Sequence, residues 1–227
     1  MMQRLLVSAL VFTVVWLSPP GADGADPPGL VERLVAQTRN LRPEVLELAL
    51  SAYADGLEEG RFARERLTVI DYSLPSYRER LWVIDMTTLT VLFEEIVAHG
   101  MGSPRGSGGD MEVAKDFSNA QGSKKSSLGL FVTAETYTGG HGYTLRIDGL
   151  EEGVNDNARE RLIVIHGAPY VTKNRADDQL VGRSWGCPVV RPKISRKLID
   201  AIKDGSALWI YYPDDEWLED SEFLDGE

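Results

Sequence analysis

Hydrophobic positions follow two different spacings along this chain. Over residues 30–53 apolar side chains recur every three or four positions, which predicts two helices, the second beginning at Pro43. Gly56 and Gly60 are expected to end that helix. Beyond it, short runs rich in β-branched and aromatic residues predict strands. The predicted strands cover residues 67–72, 81–85, 89–97, 128–136, 143–147, 161–165 and 207–212.

One further helix is predicted near the end of the chain. Ile194, Leu198 and Ile202 share a helical face, and Gly205 follows as a stop signal. Strands otherwise succeed one another without helices between them. The pattern therefore predicts a mainly β domain over residues 63–213 rather than an alternating βαβ protein.

Both ends of the chain differ from this domain. Arg4 precedes an apolar run over residues 5–17 that is too short to span a bilayer comfortably, and small residues follow it. Residues 1–25 are therefore predicted to be a secretory signal peptide, with an uncleaved membrane anchor as the alternative. Residues 26–62 form the N-terminal helical segment. No stable membrane span is expected after signal cleavage.

The net charge of the chain and its distribution limit the kinds of molecule that it is expected to bind. The 227 residues carry a formal net charge of -11, which argues against nucleic acid, because binding there depends on neutralising phosphates. Residues 214–227 form an acidic tail, in which Trp217 and Phe223 suggest weak docking onto the domain. The segment between Lys173 and Lys203 is locally basic, which suits either a substrate with carboxylates or an ordinary solvated surface.

Cys187 is the single cysteine. In an exported protein such a thiol is buried and inert, paired between chains, or reactive. It lies in a loop beside Gly186, while a second glycine follows His166 at the end of an apolar run. An adjacent imidazole would increase the thiolate fraction, and the amides of Gly186 and Cys187 are candidates to stabilise an oxyanion.

These two segments resemble the signature of the L,D-transpeptidase catalytic-domain family, a histidine followed at similar spacing by Ser or Thr, His, Gly and Cys. Here 17 residues separate His166 from Ser184-Trp185-Gly186-Cys187. The resemblance extends over roughly residues 30–212. It is closest to the secreted Gram-negative murein branch in four segments: residues 117–119, 122–129, 141–143 and 182–188.

The resemblance implies a mainly β fold, an L,D-transpeptidase-type β-sandwich or mixed sheet with one helix after the catalytic loop and helices at the N-terminus. It also implies that Cys187 attacks the third residue of a peptidoglycan tetrapeptide stem, that D-alanine leaves, and that His166 transfers the proton. The carbonyl of Gly167 would orient the imidazole. An amine or water then resolves the acyl-enzyme, so L,D-carboxypeptidase or endopeptidase activity on murein or lipoprotein linkages is an alternative.

Trp185 departs from the commoner motif, because it occupies the place of a second histidine. His141 is a candidate to replace that histidine, and Arg183 or Arg191 could supply a polar residue missing at Val189. Each of these side chains also has an ordinary structural interpretation. The candidate substrate-binding residues are His141, Tyr143, Arg183, Ser184, Trp185 and Gly186.

No metal site or cofactor is predicted, because the three histidines and Cys187 lack ligand-like spacing. The expected partner is the peptidoglycan stem peptide, and the expected location is the periplasm of a Gram-negative envelope. A non-catalytic wall-binding module and a thiol hydrolase acting on another amide are the competing interpretations. The sequence leaves the oligomeric state and the acyl acceptor open.

Overall fold

The computed structural model describes residues 29–103, 112–172, 181 and 184–224. Eight strands form one sheet in the order β3-β2-β1-β8-β4-β5-β6-β7. The strands are β1 Arg66–Asp71, β2 Leu81–Asp85, β3 Thr90–Glu95, β4 Gly129–Gly139, β5 Gly142–Gly149, β6 Val164–Gly167, β7 Val189–Val190 and β8 Ala207–Tyr211. The helices are α1 Leu30–Val35, α2 Pro43–Glu58, α3 Pro192–Ile202 and α4 Asp215–Asp220, with a 3₁₀ turn at Asp156–Ala158.

The sheet is mixed. Strand β1 pairs antiparallel with β2 but parallel with β8, and β6 pairs parallel with β7. The fold class predicted from the sequence is confirmed: a mainly β domain with a mixed sheet, N-terminal helices and helix α3 after the cysteine loop. The short tail helix α4 is not among the predicted elements. In the described ranges no helix has the length and apolar character needed to cross a membrane.

The core lies around the central strands. Every position of β8 is buried, and α2 packs its apolar face against β1 and β8. Removing large aliphatic side chains from water stabilises such a core by about 1.5–3 kcal/mol for each one fully buried. Strands β6 and β7, at one end of the strand order, are thus attached to this buried core through β5. The buried face of α2 consists of Val45, Leu46, Ala49, Ala52, Tyr53 and Gly56.

The expectation that Gly56 ends the second helix is wrong. Helix α2 continues to Glu58, and Gly56 lies inside it because a Cβ there would come within 2.6 Å of the Phe62 ring. The glycine permits close packing rather than a turn. Gly60, with φ of 70°, lies just beyond the helix.

The strand predicted over residues 161–165 is only half correct. Strand β6 begins at Val164, while Arg161 and Leu162 belong to the preceding turn. Leu162 has a positive φ of 58° and is 63% exposed. The apolar run therefore includes a residue that turns the chain toward solvent instead of entering the sheet.

The acidic tail docks firmly through its aromatic residues. Helix α4 begins after Asp214, whose carboxylate accepts a hydrogen bond from the Trp217 amide at 3.2 Å. Trp217 and Phe223 are both buried. The Trp217 Nε1–H donates to Glu151 Oε2 at 2.9 Å, which connects the tail to the core.

Candidate functional site

Parallel pairing of β6 and β7 places His166 and the cysteine loop side by side. His166 lies opposite Val189, two residues beyond Cys187. Both Cys187 and His166 line a cavity of about 620 Å³. The two residues singled out from the sequence therefore face one space.

The cysteine loop, residues 184–187, is held by its own serine. Ser184 Oγ donates to the Cys187 carbonyl at 2.7 Å and accepts from the Gly186 amide at 3.2 Å. Gly186 has φ of 119°, and a Cβ there would come 2.6 Å from the Lys125 carbonyl oxygen. A glycine is therefore required at this position, and its amide is already engaged within the loop.

Hydrogen bonds from two neighbouring segments of the chain hold the cysteine loop in place. Ser126 Oγ donates to the Gly186 carbonyl at 3.1 Å and accepts from the Gly100 amide at 3.0 Å. The Met101 amide donates to the Ser184 carbonyl at 2.8 Å. These bonds join three separate parts of the chain, so the position of Cys187 depends on the tertiary fold and not on the loop alone.

The Cys187 thiol is 9% exposed. Its Sγ donates to the Leu162 carbonyl at 3.7 Å, and within the described residues no hydrogen bond joins it to an imidazole. Burial raises the pKa of Cys187, while the Val164 amide and the Arg161 guanidinium act in the opposite direction. The thiol is thus protonated at rest, with a cation nearby.

His166 lines the cavity and is largely buried. Its Nδ1 lies 3.2 Å from the Gly167 carbonyl oxygen. Burial lowers the pKa of His166, and the nearby His141 lowers it further, so the ring is neutral at neutral pH. A Cβ on Gly167 would come 2.7 Å from Ser195 Oγ, so the glycine allows α3 to pack closely behind His166.

His141 lies at the tip of the hairpin between β4 and β5. Pairing of Gly139 with Gly142 leaves a turn of two residues, and His141 is the second of them. Its ring stacks on that of His166, with centroids 4.2 Å apart and planes at 22°. The structure therefore brings a second imidazole to the site from another segment.

The mouth of the cavity carries an exposed aromatic residue. Trp185 is 71% exposed, and Lys124 Nζ lies 5.0 Å from its ring centroid. Both residues line the cavity, together with Leu162. An apolar surface next to a cation suits a ligand that combines hydrophobic groups with a carboxylate.

Other predicted residues lie elsewhere. Tyr143 is outside the cavity lining: its hydroxyl donates to Asp200 at 2.7 Å, and the Arg196 guanidinium lies 4.2 Å from its ring centroid. Arg191 forms an ion pair with Glu95, with Nε to Oε2 at 2.9 Å. The predicted Arg183 is outside the described residues.

Sequence reasoning missed several cavity residues. Arg161, Lys124 and Tyr170 all line the cavity with Cys187. Arg161 was treated as the first residue of a strand, and its position five residues before His166 was the only available signal. Burial raises the pKa of Tyr170 to about 12, so this side chain is neutral near the thiol.

Comparison with solved structures gives distant matches. The L,D-transpeptidase from Mycobacterium smegmatis is 13% identical over 65% of this chain and 59% of its own, with a TM-score of 0.39. The helical cell shape determining protein Pgp2 from Campylobacter jejuni is 12% identical over 72% and 57%, with a TM-score of 0.39. The L,D-transpeptidase from Xylanimonas cellulosilytica is 15% identical over 86% and 100%, with a TM-score of 0.36. The chain thus spans less than two thirds of the mycobacterial and Campylobacter proteins.

A comparison with curated protein sequences gave no match. The sequence profile of the L,D-transpeptidase catalytic domain, in contrast, matches residues 37–211. That match contains the strands of the sheet, the cysteine loop, His141 and His166. This chain therefore belongs to the L,D-transpeptidase catalytic-domain family.

Proposed function

We propose that this protein is a peptidoglycan L,D-transpeptidase-like cysteine acyltransferase of the Gram-negative periplasm. Cys187 is the nucleophile, and the third residue of a tetrapeptide stem is the acyl donor. The observation that carries the proposal is that Cys187 and His166 line one cavity in a domain of this family. The signal-like N-terminal segment supports the location.

The proton path follows from the hydrogen bond of His166. With Nδ1–H donating to the Gly167 carbonyl, the lone pair is on Nε2. The side chain of Cys187 turns from the Leu162 carbonyl toward Nε2 and transfers its proton there as Sγ attacks. The C–N bond to D-alanine then breaks, and His166 returns the proton to the departing amine.

The thioester that forms is resolved by the acceptor. An amine from a second stem gives a crosslink, whereas water gives L,D-carboxypeptidase activity. Water gives endopeptidase activity when the amine that leaves in the first step belongs to a crosslinked stem or a lipoprotein instead of D-alanine. His166 removes a proton from either acceptor, and the thiol is restored when the S–C bond breaks. The exposed position of Trp185 leaves room at the cavity mouth for an acceptor to approach.

Substrate contacts are assigned by position. His141 takes the part of the second histidine that Trp185 displaces from the motif, because its ring stacks on His166. Trp185 packs against the stem, while Ser184 and Gly186 hold the loop in place. Arg183 and Tyr143 stay in the proposal as residues that bind the stem.

The direct test is incubation of the purified protein with a disaccharide tetrapeptide. Liquid chromatography with mass spectrometry should detect D-alanine and either a crosslinked dimer or the tripeptide product. The Cys187→Ala variant should give neither product. Arg64→Gln is the matched control, because Arg64 donates to the Lys203 carbonyl at 3.0 Å and does not line the cavity. Intact substrate after incubation with folded wild-type protein would contradict the proposal.

A non-catalytic wall-binding module is the second candidate. The observation favouring it is that burial raises the pKa of Cys187 while its Sγ is bonded to the Leu162 carbonyl. This candidate expects the wild-type and Cys187→Ala proteins to bind tetrapeptide muropeptides equally well and to release no D-alanine. Calorimetric titration of both proteins distinguishes the two functions.

A further inference from the structure

Arg161 is a half-buried cation whose hydrogen bonds all go to uncharged oxygens. Its Nη1 donates to the Ser118 carbonyl at 2.6 Å and to Ser127 Oγ at 2.5 Å. Its Nη2 donates to Ser123 Oγ at 3.2 Å and to the Lys125 carbonyl at 2.7 Å. This arrangement fixes the guanidinium in the wall of the cavity without neutralising it.

In the part of the chain that the structure describes, no carboxylate pairs with Arg161. Among the described residues Arg161 forms no ion pair, although eight other basic residues do: Arg42, Arg61, Arg66, Lys125, Arg146, Arg159, Arg191 and Lys203. Burying an uncompensated cation is unfavourable, so such a residue normally serves a nearby anion. Burial lowers the pKa of Arg161, and a charge on Cys187 raises it.

The local backbone brings Arg161 close to the sulfur. Leu162, the next residue, accepts the thiol hydrogen bond and has φ of 58°. The Ile163 amide donates to the Ala158 carbonyl at 2.9 Å and so closes a helical turn. Leu162 occupies the position in this turn at which glycine is usual. A leucine in this conformation is strained, and strain beside a reactive group points to function.

Arg161 is also connected to the cysteine loop, through Lys125. The Lys125 carbonyl, which Arg161 holds, would lie only 2.6 Å from a Cβ on Gly186. Arg161 therefore contacts a segment that packs directly on the residue before Cys187. Arg161 thus joins this segment to the turn that accepts the thiol hydrogen bond, since Leu162 is the next residue in the chain.

We propose that Arg161 is a positioning residue that stabilises the thiolate of Cys187 by supplying a fixed positive charge in the cavity wall. The other titratable groups that line the cavity are His141, His166, Lys124 and Tyr170. The imidazole of His166 moves the proton, whereas Arg161 remains charged throughout. This inference rests on the proposed function, since it takes Cys187 as the nucleophile.

The test measures the rate of Cys187 alkylation by iodoacetamide against pH for the full chain. Arg161→Gln should move the midpoint upward by about one pH unit and slow alkylation about tenfold at neutral pH. Arg161→Lys keeps the charge but loses the fork of donors, so its midpoint should stay near that of the wild type. Arg64→Gln should leave the profile unchanged.

Two results would overturn the proposal. One is an unchanged midpoint in folded Arg161→Gln, and the other is an equal shift in the Gln and Lys variants, which would mean that Arg161 only supports the fold. Circular dichroism of each variant establishes that it is folded. Because alkylation needs no muropeptide, this inference can fail while D-alanine release succeeds, and it can hold while D-alanine release fails.

Discussion

Cys187 and Glu151 are both buried acids, and burial raises the pKa of each, yet their surroundings differ sharply. Glu151 accepts from the Leu130 amide at 2.6 Å, from Trp217 Nε1 at 2.9 Å and from Ser221 Oγ at 3.1 Å. The Cys187 thiol donates a long bond to the Leu162 carbonyl and faces a cavity. Glu151, which several donors satisfy, is thus a structural anchor, whereas the proposed function makes Cys187, which faces the cavity, the nucleophile.

Substitutions in the two regions are expected to affect different properties of the protein. Removing a side chain that acts on the Cys187 proton should reduce reactivity and leave the fold largely intact. Changes around Glu151 should destabilise the fold and leave the chemistry of the folded protein unchanged.

His166→Ala should lower kcat/KM on tetrapeptide muropeptides by about 100- to 10,000-fold, since it removes the group that takes the thiol proton. Steady-state kinetics of D-alanine release measures this effect. Urea denaturation of the same variant checks that the loss is not caused by unfolding. A kcat/KM within a few-fold of wild type would place the base elsewhere.

Glu151→Ala should lower the free energy of unfolding by about 3 kcal/mol, because three donors lose their acceptor in a buried site. Urea denaturation followed by tryptophan fluorescence reports the loss, and the tail carrying Trp217 should detach first. The adjacent Glu152→Ala is the matched control, because Glu152 is exposed and should change stability by less than about 0.5 kcal/mol. Slower D-alanine release by the folded Glu151→Ala variant would break the separation of the two regions.

Leu162→Gly should stabilise the protein by about 1 kcal/mol, because glycine adopts a positive φ without the strain of a leucine side chain. Thermal unfolding measures the change. The backbone carbonyl that accepts the thiol is retained, so alkylation of Cys187 should keep its pH midpoint. A destabilised variant would mean that the exposed leucine makes contacts that outweigh the strain.

His141→Gln tests the stacked imidazoles. The electrostatic interaction with His141 lowers the pKa of His166, so its removal should raise that pKa toward the usual value. A base works only when unprotonated, and the acidic limb of the kcat/KM profile should therefore move to higher pH. An unmoved limb would show that the two rings do not interact electrostatically.

The strands of the core could be predicted from the sequence. Runs such as residues 81–85 coincide with β2, because a continuous run of apolar, β-branched and aromatic residues reflects a strand buried on both faces. Helix α3 could be predicted for the same reason, from its apolar face and Gly205. The pair Val189–Val190 was missed because two residues carry no periodicity, yet it sets the register of the cysteine loop.

The site was only partly predictable. Cys187 and His166 came from a motif, and their shared cavity depends on parallel pairing of two strand ends far apart in sequence. Arg161 and Leu162 were misread because a non-glycine residue with positive φ leaves no signal in a pattern of apolar residues. Tyr143 was predicted from its neighbours in the motif, but side-chain direction placed its hydroxyl on Asp200.

The central claim is that Cys187 becomes acylated by a stem peptide with His166 as its base. Mass spectrometry of the intact protein, quenched in acid during turnover of a disaccharide tetrapeptide, tests it most directly. The account predicts a mass increase equal to the acyl group left after loss of D-alanine, located on the peptide that contains Cys187 and greatly reduced in His166→Ala. An adduct on another residue, or product release with Cys187 replaced by alanine, would contradict it.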